Sequence, residues 1–293
     1  MTTVSSPDVA VAAARADESR IQRRDANILE LQRAAALKRR FAGPKSAATT
    51  VLSLVLLVAI WQLLVVLLNA PSYALPSPAS VFTSFFTQLP LLAEQSLPTL
   101  GEILIGFGVT VVIFVPLGIA IAQWRWVEGL VNPLLVISQS TPSIAFAPLL
   151  ITWWGLGMLP KVVMVILICF FPVVVNTVVG IKSVAPEVID LGRSMGASPL
   201  AMLLRVRIPG ALPSIFAGLR VAMPLAVIGA IVAEFTGADV GLGRVIVSAN
   251  GRLNTSLVFA AIIAIAIIGL VLYKLIERLE WVSIPWHRNK RER

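Results

Sequence analysis

The sequence predicts an all-α integral membrane protein with six transmembrane helices. Two observations predict this class. Of its residues, 57% are hydrophobic and only 13% are charged, which lies outside the composition of ordinary soluble domains. Long apolar runs also recur along almost the whole chain after residue 46. A single soluble core cannot bury so many runs, so we expect the chain to fold in a membrane.

Six segments approach the length of about 20 mostly apolar residues that a bilayer-spanning helix needs. Proline inside a segment is expected to kink its helix, which applies to Pro116 in the second segment and to Pro142 and Pro148 in the third. The predicted segments are 49–68, 100–122, 130–153, 160–181, 214–234 and 256–276. The predicted domains are an N-terminal tail at 1–46, a transmembrane domain at 47–280 with a loop at about 182–213, and a basic tail at 281–293.

The distribution of Lys and Arg predicts the orientation of the chain. These residues are retained on the cytoplasmic side of a membrane when they flank its spans. They are frequent before residue 46, in the 182–213 loop and after Lys274, whereas the 69–98 loop contains none. Only Arg244 and Arg252 argue for the opposite orientation. We therefore expect both termini and the 182–213 loop to lie in the cytoplasm.

The N-terminal tail has two interpretations. We do not expect a cleavable signal, because 46 mainly polar residues precede an apolar run that is too long for a signal core. Ile21, Ile28, Leu31 and Leu37 lie loosely on one side of a possible amphipathic helix bound at the headgroups. The alternative is a solvated or partly disordered tail whose charge helps to set the topology.

The predicted loop contains a short charged stretch, DLGRSMGASPLAMLLRVRIP, at residues 190–209. A first helix is predicted from Pro186, and Gly196 is placed to end it in a left-handed conformation. Ser198 and Pro199 are typical of the N-cap and first position of a second helix, which Pro209 and Pro213 are expected to stop. Both helices carry apolar side chains that predict a protein partner: Val188, Leu191, Met195, Leu200, Leu203 and Leu204.

The same stretch resembles the cytoplasmic loop of permease subunits of importer-type ABC transporters. In that family Glu-Ala-Ala is followed four residues on by Gly, and about thirteen residues later by Leu-Pro or Ile-Pro. Here Asp190-Leu191-Gly192 stands at the Glu-Ala-Ala positions, Gly196 is the glycine and Ile208-Pro209 closes the motif. Asp for Glu and Leu-Gly for Ala-Ala are departures from the pattern, whereas the spacing is kept.

Three further stretches resemble the branch of this family that imports nitrate, sulfonates, taurine and similar compounds. They are LPSPASV at 75–81, STPSIAFAPLLITWWGLGMLPK at 140–161 and AEFTGADVGLG at 233–243. The resemblance covers roughly residues 50–280. It implies a permease of the bacterial cytoplasmic membrane that transports a small anion or a small polar organic solute.

The resemblance also implies the partners. Family permeases work as dimers with two cytoplasmic ATPase subunits and an extracytoplasmic solute-binding protein, and no nucleic acid is involved. The 182–213 loop would then be a coupling loop whose movement follows ATPase closure. The resemblance assigns the coupling to the ATPase to eight residues of this loop: Asp190, Gly192, Gly196, Ala197, Ser198, Leu203, Ile208 and Pro209.

The sequence contains no recognisable catalytic or cofactor site. No G-x-x-x-x-G-K-[ST] motif occurs, so ATP and Mg²⁺ are expected to bind to the partner subunit, and the GLG triplets at 155–157 and 241–243 are expected to be turns. Cys169 is the only cysteine and is expected to be a small buried side chain. His287 has no accompanying ligands, so no metal site is predicted.

Several polar residues within apolar segments are candidates for the translocation pathway. Glu234 either lies at the outer interface, hydrated or bonded to the backbone of the following loop, or faces the pathway, because a mid-membrane charge is costly. Gln139, Ser140, Asn176 and Thr177 either line the pathway or form hydrogen bonds between helices.

Rival classes carry different expectations. A secondary transporter is expected to show internal repeats and ionisable residues at the bilayer midplane, and a membrane enzyme is expected to show a catalytic cluster; neither pattern is found. A DNA-binding helix-turn-helix at 186–207 is disfavoured because membrane spans flank it on both sides. A secondary transporter or another polytopic membrane protein without an ATPase partner is the alternative function.

Overall fold

The computed structural model describes residues 47–69 and 71–285, and every regular element among them is a helix. The elements, in order, are α1 (Ala47–Leu67), α2 (Pro78–Thr87), α3 (Leu89–Gln123), α4 (Arg125–Ser140), a 3₁₀ turn (Ser143–Phe146), α5 (Ala147–Trp154), α6 (Met158–Lys182), α7 (Pro186–Ser194), α8 (Pro199–Met202), a π-helical segment (Leu203–Arg207), α9 (Ile208–Phe235), α10 (Leu242–Gly251) and α11 (Thr255–Ser283). The predicted amphipathic helix in the N-terminal tail and His287 lie outside the described residues.

Four helical stretches in the described part of the chain are long and apolar enough to cross a membrane. They are Leu89–Gln123, Met158–Lys182, Pro199–Phe235 and Thr255–Ser283. The pair formed by α4 and the 143–154 helix passes the same test together, which gives a fifth candidate span. α1 is apolar over Val51–Leu67 but shorter. The all-helical class is therefore confirmed, whereas the count of six spans stays a prediction.

The described part of the chain falls into two units, one that ends at Leu64 and one that begins at Val65. In the first unit the side chains of α1 are exposed almost throughout. The second unit contains the remaining helices, and its largest core cluster is formed mainly by α3, α6, α9 and α11.

α6 and α9 pack closely at the centre of this unit, because glycine residues of α9 lie where the two helices meet. A Cβ atom added to Gly218 would lie 2.7 Å from the Cβ of Asn176, and one added to Gly229 would lie 3.0 Å from the Cα of Val165. Gly106 and Gly118 of α3 meet α6 in the same way. Small residues at helix contacts are typical of packing within membranes, where burial of apolar surface does not drive association.

The third predicted segment is broken rather than gently kinked. α4 ends at Ser140, Pro142 precedes the 3₁₀ turn, and the helices on the two sides of the break differ in direction by 87°. The prediction of a proline effect is confirmed for Pro142, since the residue before a proline is disfavoured in the α conformation. Pro148 does not break a helix, because it lies in the first turn of α5, where its missing N–H costs nothing.

The prediction that Pro209 and Pro213 end the second loop helix is wrong. α8 continues through the π-helical segment directly into α9, with Pro209 in the first turn of α9 and Pro213 inside it. In an α-helix the ring of Pro209 would clash with the carbonyl of Arg205. The wider turns of the π segment fall where that clash would arise, so the helix continues where the sequence pattern suggested a stop.

The chain direction defines two ends of the second unit. The α7–α8 end contains the ends of α3 and α6 and the start of α4. The ion pair between Lys182 and Glu128, at 2.6 Å, joins the end of α6 to the start of α4. The opposite end contains the starts of α3 and α6, the end of α9 and the start of α10.

Candidate functional site

The turn between α7 and α8 has the geometry that the sequence predicts. Gly196 has φ +78°, its N–H donates to the Arg193 carbonyl at 2.9 Å, and the Ala197 N–H donates to the Gly192 carbonyl at 3.0 Å. These two bonds form a Schellman motif, which ends a helix with a left-handed residue. The predicted role of Gly196 in ending the first helix is confirmed.

Ser198 begins the second short helix as predicted. Its Oγ accepts a hydrogen bond from the Ala201 N–H at 3.2 Å, and Pro199 occupies the first turn. The cap satisfies an otherwise unpaired N–H at the start of the helix. The sharp turn and the cap together fix the direction in which α8 leaves α7.

Most of the apolar side chains of the α7–α8 pair are exposed. Leu191 is 63% exposed, Met195 79% and Leu200 64%. Val188 and Leu204 are also exposed, whereas Leu203 packs partly against the core. This surface has no cover among the described residues, and exposed apolar patches of this kind mark sites of interaction.

The other residues assigned to coupling occupy different positions in the same loop. Asp190 is exposed and lies 3.8 Å from Arg193. Gly192 faces Met202, because a Cβ atom on Gly192 would lie only 1.9 Å from the terminal methyl of that buried side chain. Ile208 packs partly against the core, and Pro209 follows it in the first turn of α9. The loop thus has an exposed face and a face anchored to the bundle.

The structure places Glu234 in a hydrogen-bonded cluster at the opposite end. Glu234 is 1% exposed, Thr99 donates its hydroxyl to Oε1 at 2.6 Å, and the Gly243 N–H donates to Oε2. The interpretation in which Glu234 bonds to the backbone of the following loop is supported.

Glu102 and Lys161 extend this cluster with a buried ion pair. Lys161 Nζ donates to Glu102 Oε1 at 2.6 Å, and both side chains are almost completely buried. The other carboxylate oxygen of Glu102, Oε2, is buried and has no hydrogen-bond partner among the described residues. The ion pair therefore joins α3 to α6.

Polar groups of α3 hold the start of α10. The Gly241 N–H donates to Gln95 Oε1 at 2.8 Å, and the Leu242 N–H donates to Thr99 Oγ1 at 3.0 Å. Gly241 has φ +118°, and a Cβ atom there would overlap the Glu234 carboxylate. We call Gln95, Thr99, Glu102, Lys161 and Glu234 the Glu234 cluster. It ties four helices together: α3, α6, α9 and α10.

Sequence reasoning identified Glu234 but missed its partners. Thr99 and Glu102 lie near the start of the second predicted span, and Lys161 lies near the start of the fourth. The available signal was the presence of single, oppositely charged residues in apolar segments, because charges inside a membrane pair with one another.

The remaining pathway candidates do not join this cluster. Gln139 and Ser140 are exposed at the end of α4. Asn176 Nδ2 donates to the Pro172 carbonyl at 2.8 Å, and Thr177 donates to the Val173 carbonyl at 2.7 Å, both within α6. Asn176 lies about 20 Å along α6 from Lys161, at 1.5 Å per residue. The predicted set is therefore spread along the bundle.

The prediction for Cys169 is confirmed, because its side chain is buried and its Sγ donates to the Ala222 carbonyl at 3.3 Å. Within residues 47–69 and 71–285, no group of three or more His, Cys, Asp or Glu residues is arranged to hold a metal ion.

Comparison with known proteins shows which family this chain resembles. Residues 114–280 match the family model described as binding-protein-dependent transport system inner membrane component. The riboflavin transport system permease protein of Chloroflexus aurantiacus is 40% identical over 236 residues, which cover 80% of this chain and 88% of that protein.

Two other relatives match over similar lengths, and a solved structure has a similar fold. The formylaminopyrimidine transport permease protein of Halalkalibacterium halodurans is 35% identical over 80% of this chain and 94% of its own length. The taurine transport system permease protein of Escherichia coli is 30% identical over 86% of this chain and 94% of its own length. A structure of the MetNI methionine ABC transporter in an inward-facing conformation has a TM-score of 0.59 at 17% identity, covering 67% of this chain and 98% of that chain.

Proposed function

This chain belongs to the family of binding-protein-dependent transport system inner membrane components and is a permease of an ABC importer, and from this premise we propose how it works. Two copies form the translocation pathway, and separate ATPase subunits, which hold ATP and Mg²⁺, supply the energy. Both termini and the α7–α8 end face the cytoplasm, and α1 together with the bent pair at 125–154 brings the number of spans to six.

The observation that carries this proposal is the exposed apolar surface of α7 and α8. Leu191, Met195 and Leu200 are among the most exposed apolar side chains of a loop whose other face is anchored by Met202 and Ile208. A rigid, capped pair of short helices transmits a displacement to α9, because α8 runs into α9 without a break. ATPase closure against this surface would therefore shift α9, a central helix of the bundle.

The proposed pathway residues follow from the same geometry. Gln139 and Ser140 are exposed at the end of α4, and we assign them to the pathway wall. Asn176 lies against Gly218 of α9, and Glu234 holds the start of α10 through Gly243. We assign these two to the pathway through the helices that they position.

The proposed solute is a small anion or a small polar organic compound, delivered by a solute-binding protein. This proposal is supported by relatives whose names specify riboflavin, formylaminopyrimidine and taurine transport. Calorimetry on the solute-binding protein, with these three compounds, nitrate and alkanesulfonates as the panel, would identify the solute class.

The test of the proposed coupling surface is reconstitution with the ATPase. The purified chain is expected to hydrolyse no ATP, and activity stimulated by the solute-binding protein should appear only in the complex. Leu191→Ser/Met195→Ser should lose co-purification of the ATPase, because it removes exposed apolar contacts. Leu97→Ser is the matched control, since Leu97 is 72% exposed at the opposite end. ATP turnover by the pure chain, or equal loss of the ATPase in both variants, would contradict the proposal.

A further inference from the structure

A cavity of about 200 Å³ lies between the α7–α8 pair and the end of α3, and its lining does not include the exposed Leu191, Met195 or Leu200. It is lined by residues of four elements or their connections: Gln123 at the end of α3, Arg193 of α7, Ala197 of the turn, Pro199 and Met202 of α8, and Arg207 of the π-helical segment. The proposed contact with the ATPase assigns no role to this cavity.

Arg207 brings a positive charge to the cavity that nothing described in the chain balances. Its Nη1 donates to Gln123 Oε1 at 2.8 Å, while its Nε is buried and has no hydrogen-bond partner among the described residues. No carboxylate at 47–69 or 71–285 forms an ion pair with it. A buried donor without a partner is costly, so the site is incomplete without an acceptor.

Arg193 of α7 supplies a second guanidinium to the lining of the cavity. Its side chain is 72% exposed, and its one ion pair in the described part of the chain is with Asp190, on the same helix, at 3.8 Å. Such an exposed pair contributes little free energy, so Arg193 is free to turn toward a ligand. Guanidinium groups bind phosphate oxygens through two parallel N–H donors, and two of them in the lining of one cavity favour a phosphate group.

The position of the cavity indicates the source of that phosphate. Trp124 and Trp126 follow Gln123 directly and are 53% and 72% exposed. Exposed tryptophans at the end of a long apolar helix mark the interface between the membrane and water, at the level of the lipid headgroups. Basic side chains at that level attract anionic lipids.

We propose that this cavity, lined by Gln123, Arg193 and Arg207, is a binding site for a phosphate group, with the headgroup of an anionic lipid as its main source and free phosphate as the other. The bound group bridges α7 and the π-helical segment across the Gly196 turn. It therefore fixes the angle between the two halves of the loop. Binding of the phosphate group does not depend on the proposed function. The effect of the bound group on coupling to the ATPase rests on the proposed function.

The test measures lipid retention by native mass spectrometry of the full chain in detergent, with phosphatidylglycerol and phosphatidylcholine as probes. The chain should retain phosphatidylglycerol, and Arg207→Gln should weaken retention by about 10- to 100-fold, which is the effect of losing one charged hydrogen bond. Arg193→Gln should also weaken retention and cannot unfold the chain through lost packing, because its side chain is exposed. The control is Arg205→Gln, whose exposed side chain lies on the same segment outside the cavity.

A second arm adds inorganic phosphate to delipidated protein and follows thermal unfolding. Stabilisation by phosphate that depends on Arg207, without selective retention of phosphatidylglycerol, would identify free phosphate as the source. Equal retention of the two lipids together with no stabilisation by phosphate would overturn the site. An equal loss in Arg205→Gln would also overturn it, since it would show attraction to general positive charge.

Discussion

At the scale of single residues, the strongest prediction concerns the buried Glu102–Lys161 ion pair. Lys161→Met should destabilise the purified protein by about 3–5 kcal/mol, because it leaves the buried Glu102 carboxylate without its counter-charge. The free energy of unfolding in detergent, followed by denaturant titration, measures this effect.

The matched variant is the double substitution Glu102→Leu/Lys161→Met. Replacing both members of a buried pair by apolar residues is often neutral or stabilising, and Glu234 keeps its bonds from Thr99 and Gly243 in this background. The double variant should therefore recover most of the lost stability. A single variant as stable as the unmodified chain would show that the pair does not balance the cluster.

Residue-scale features were predictable from the sequence when their causes are local. The positive φ of Gly196 and the cap at Ser198 depend on neighbours within a few positions, so residue type and spacing were sufficient. The Glu102–Lys161 pair joins positions 59 residues apart in the chain, and no local pattern specifies which charged residues meet across α3 and α6. The partners of Glu234 were missed for this reason.

At the scale of helices, the Gly196 turn gives a test of the loop as a rigid connector. A Cβ atom at Gly196 meets nothing within 4 Å, so any effect of substitution there arises from the backbone, whose φ is +78°. Gly196→Val should strain the turn by about 1–3 kcal/mol. Transport and ATPase retention should fall while insertion of the spans stays normal, as measured in membrane vesicles and by pull-down.

Gly196→Asn is the control for this prediction, because asparagine adopts the left-handed region far more readily than a β-branched residue. It should retain most of the transport activity. Similar activity of Val and Asn variants would show that the turn conformation is not needed for coupling. Gly192→Ala is a poorer control, since its Cβ requires the Met202 methyl group to move.

Helix ends show where sequence patterns lose their accuracy. Pro142 was expected to bend the third segment and lies at an 87° break, because a proline disfavours the α conformation of the residue before it. Pro209 was expected to end the helix that contains α8, yet this helix continues through the π-helical segment into α9, with Pro209 in the first turn of α9. The difference lies in the preceding turn: a π-helical segment removes the clash at Pro209, and such a segment has no sequence signature comparable to that of a cap.

At the scale of the whole molecule, the two ends of the bundle differ in kind. The α7–α8 end carries exposed apolar helices and arginines, whereas the opposite end contains the Glu234 cluster, whose buried bonds tie α10 to α3 and α9, and α3 to α6. Tight bonding at one end and an exposed, capped connector at the other fit a subunit that is moved from the α7–α8 end. The composition predicted the membrane class, while this asymmetry became visible only when the helices were assembled.

This asymmetry leads to a test of orientation by single cysteines. Cys169 is buried and should not react with an impermeant thiol reagent, so it can stay in the background. Ser72 and Ser194 are exposed at the two ends of the bundle, and neither caps a helix N-terminus. In the proposed orientation the α7–α8 end, which is rich in Lys and Arg, faces the cytoplasm. On intact cells Ser72→Cys should therefore be labelled and Ser194→Cys should not, whereas both should be labelled after permeabilisation. Labelling of Ser194→Cys on intact cells would reverse the orientation and remove the α7–α8 surface from reach of a cytoplasmic ATPase.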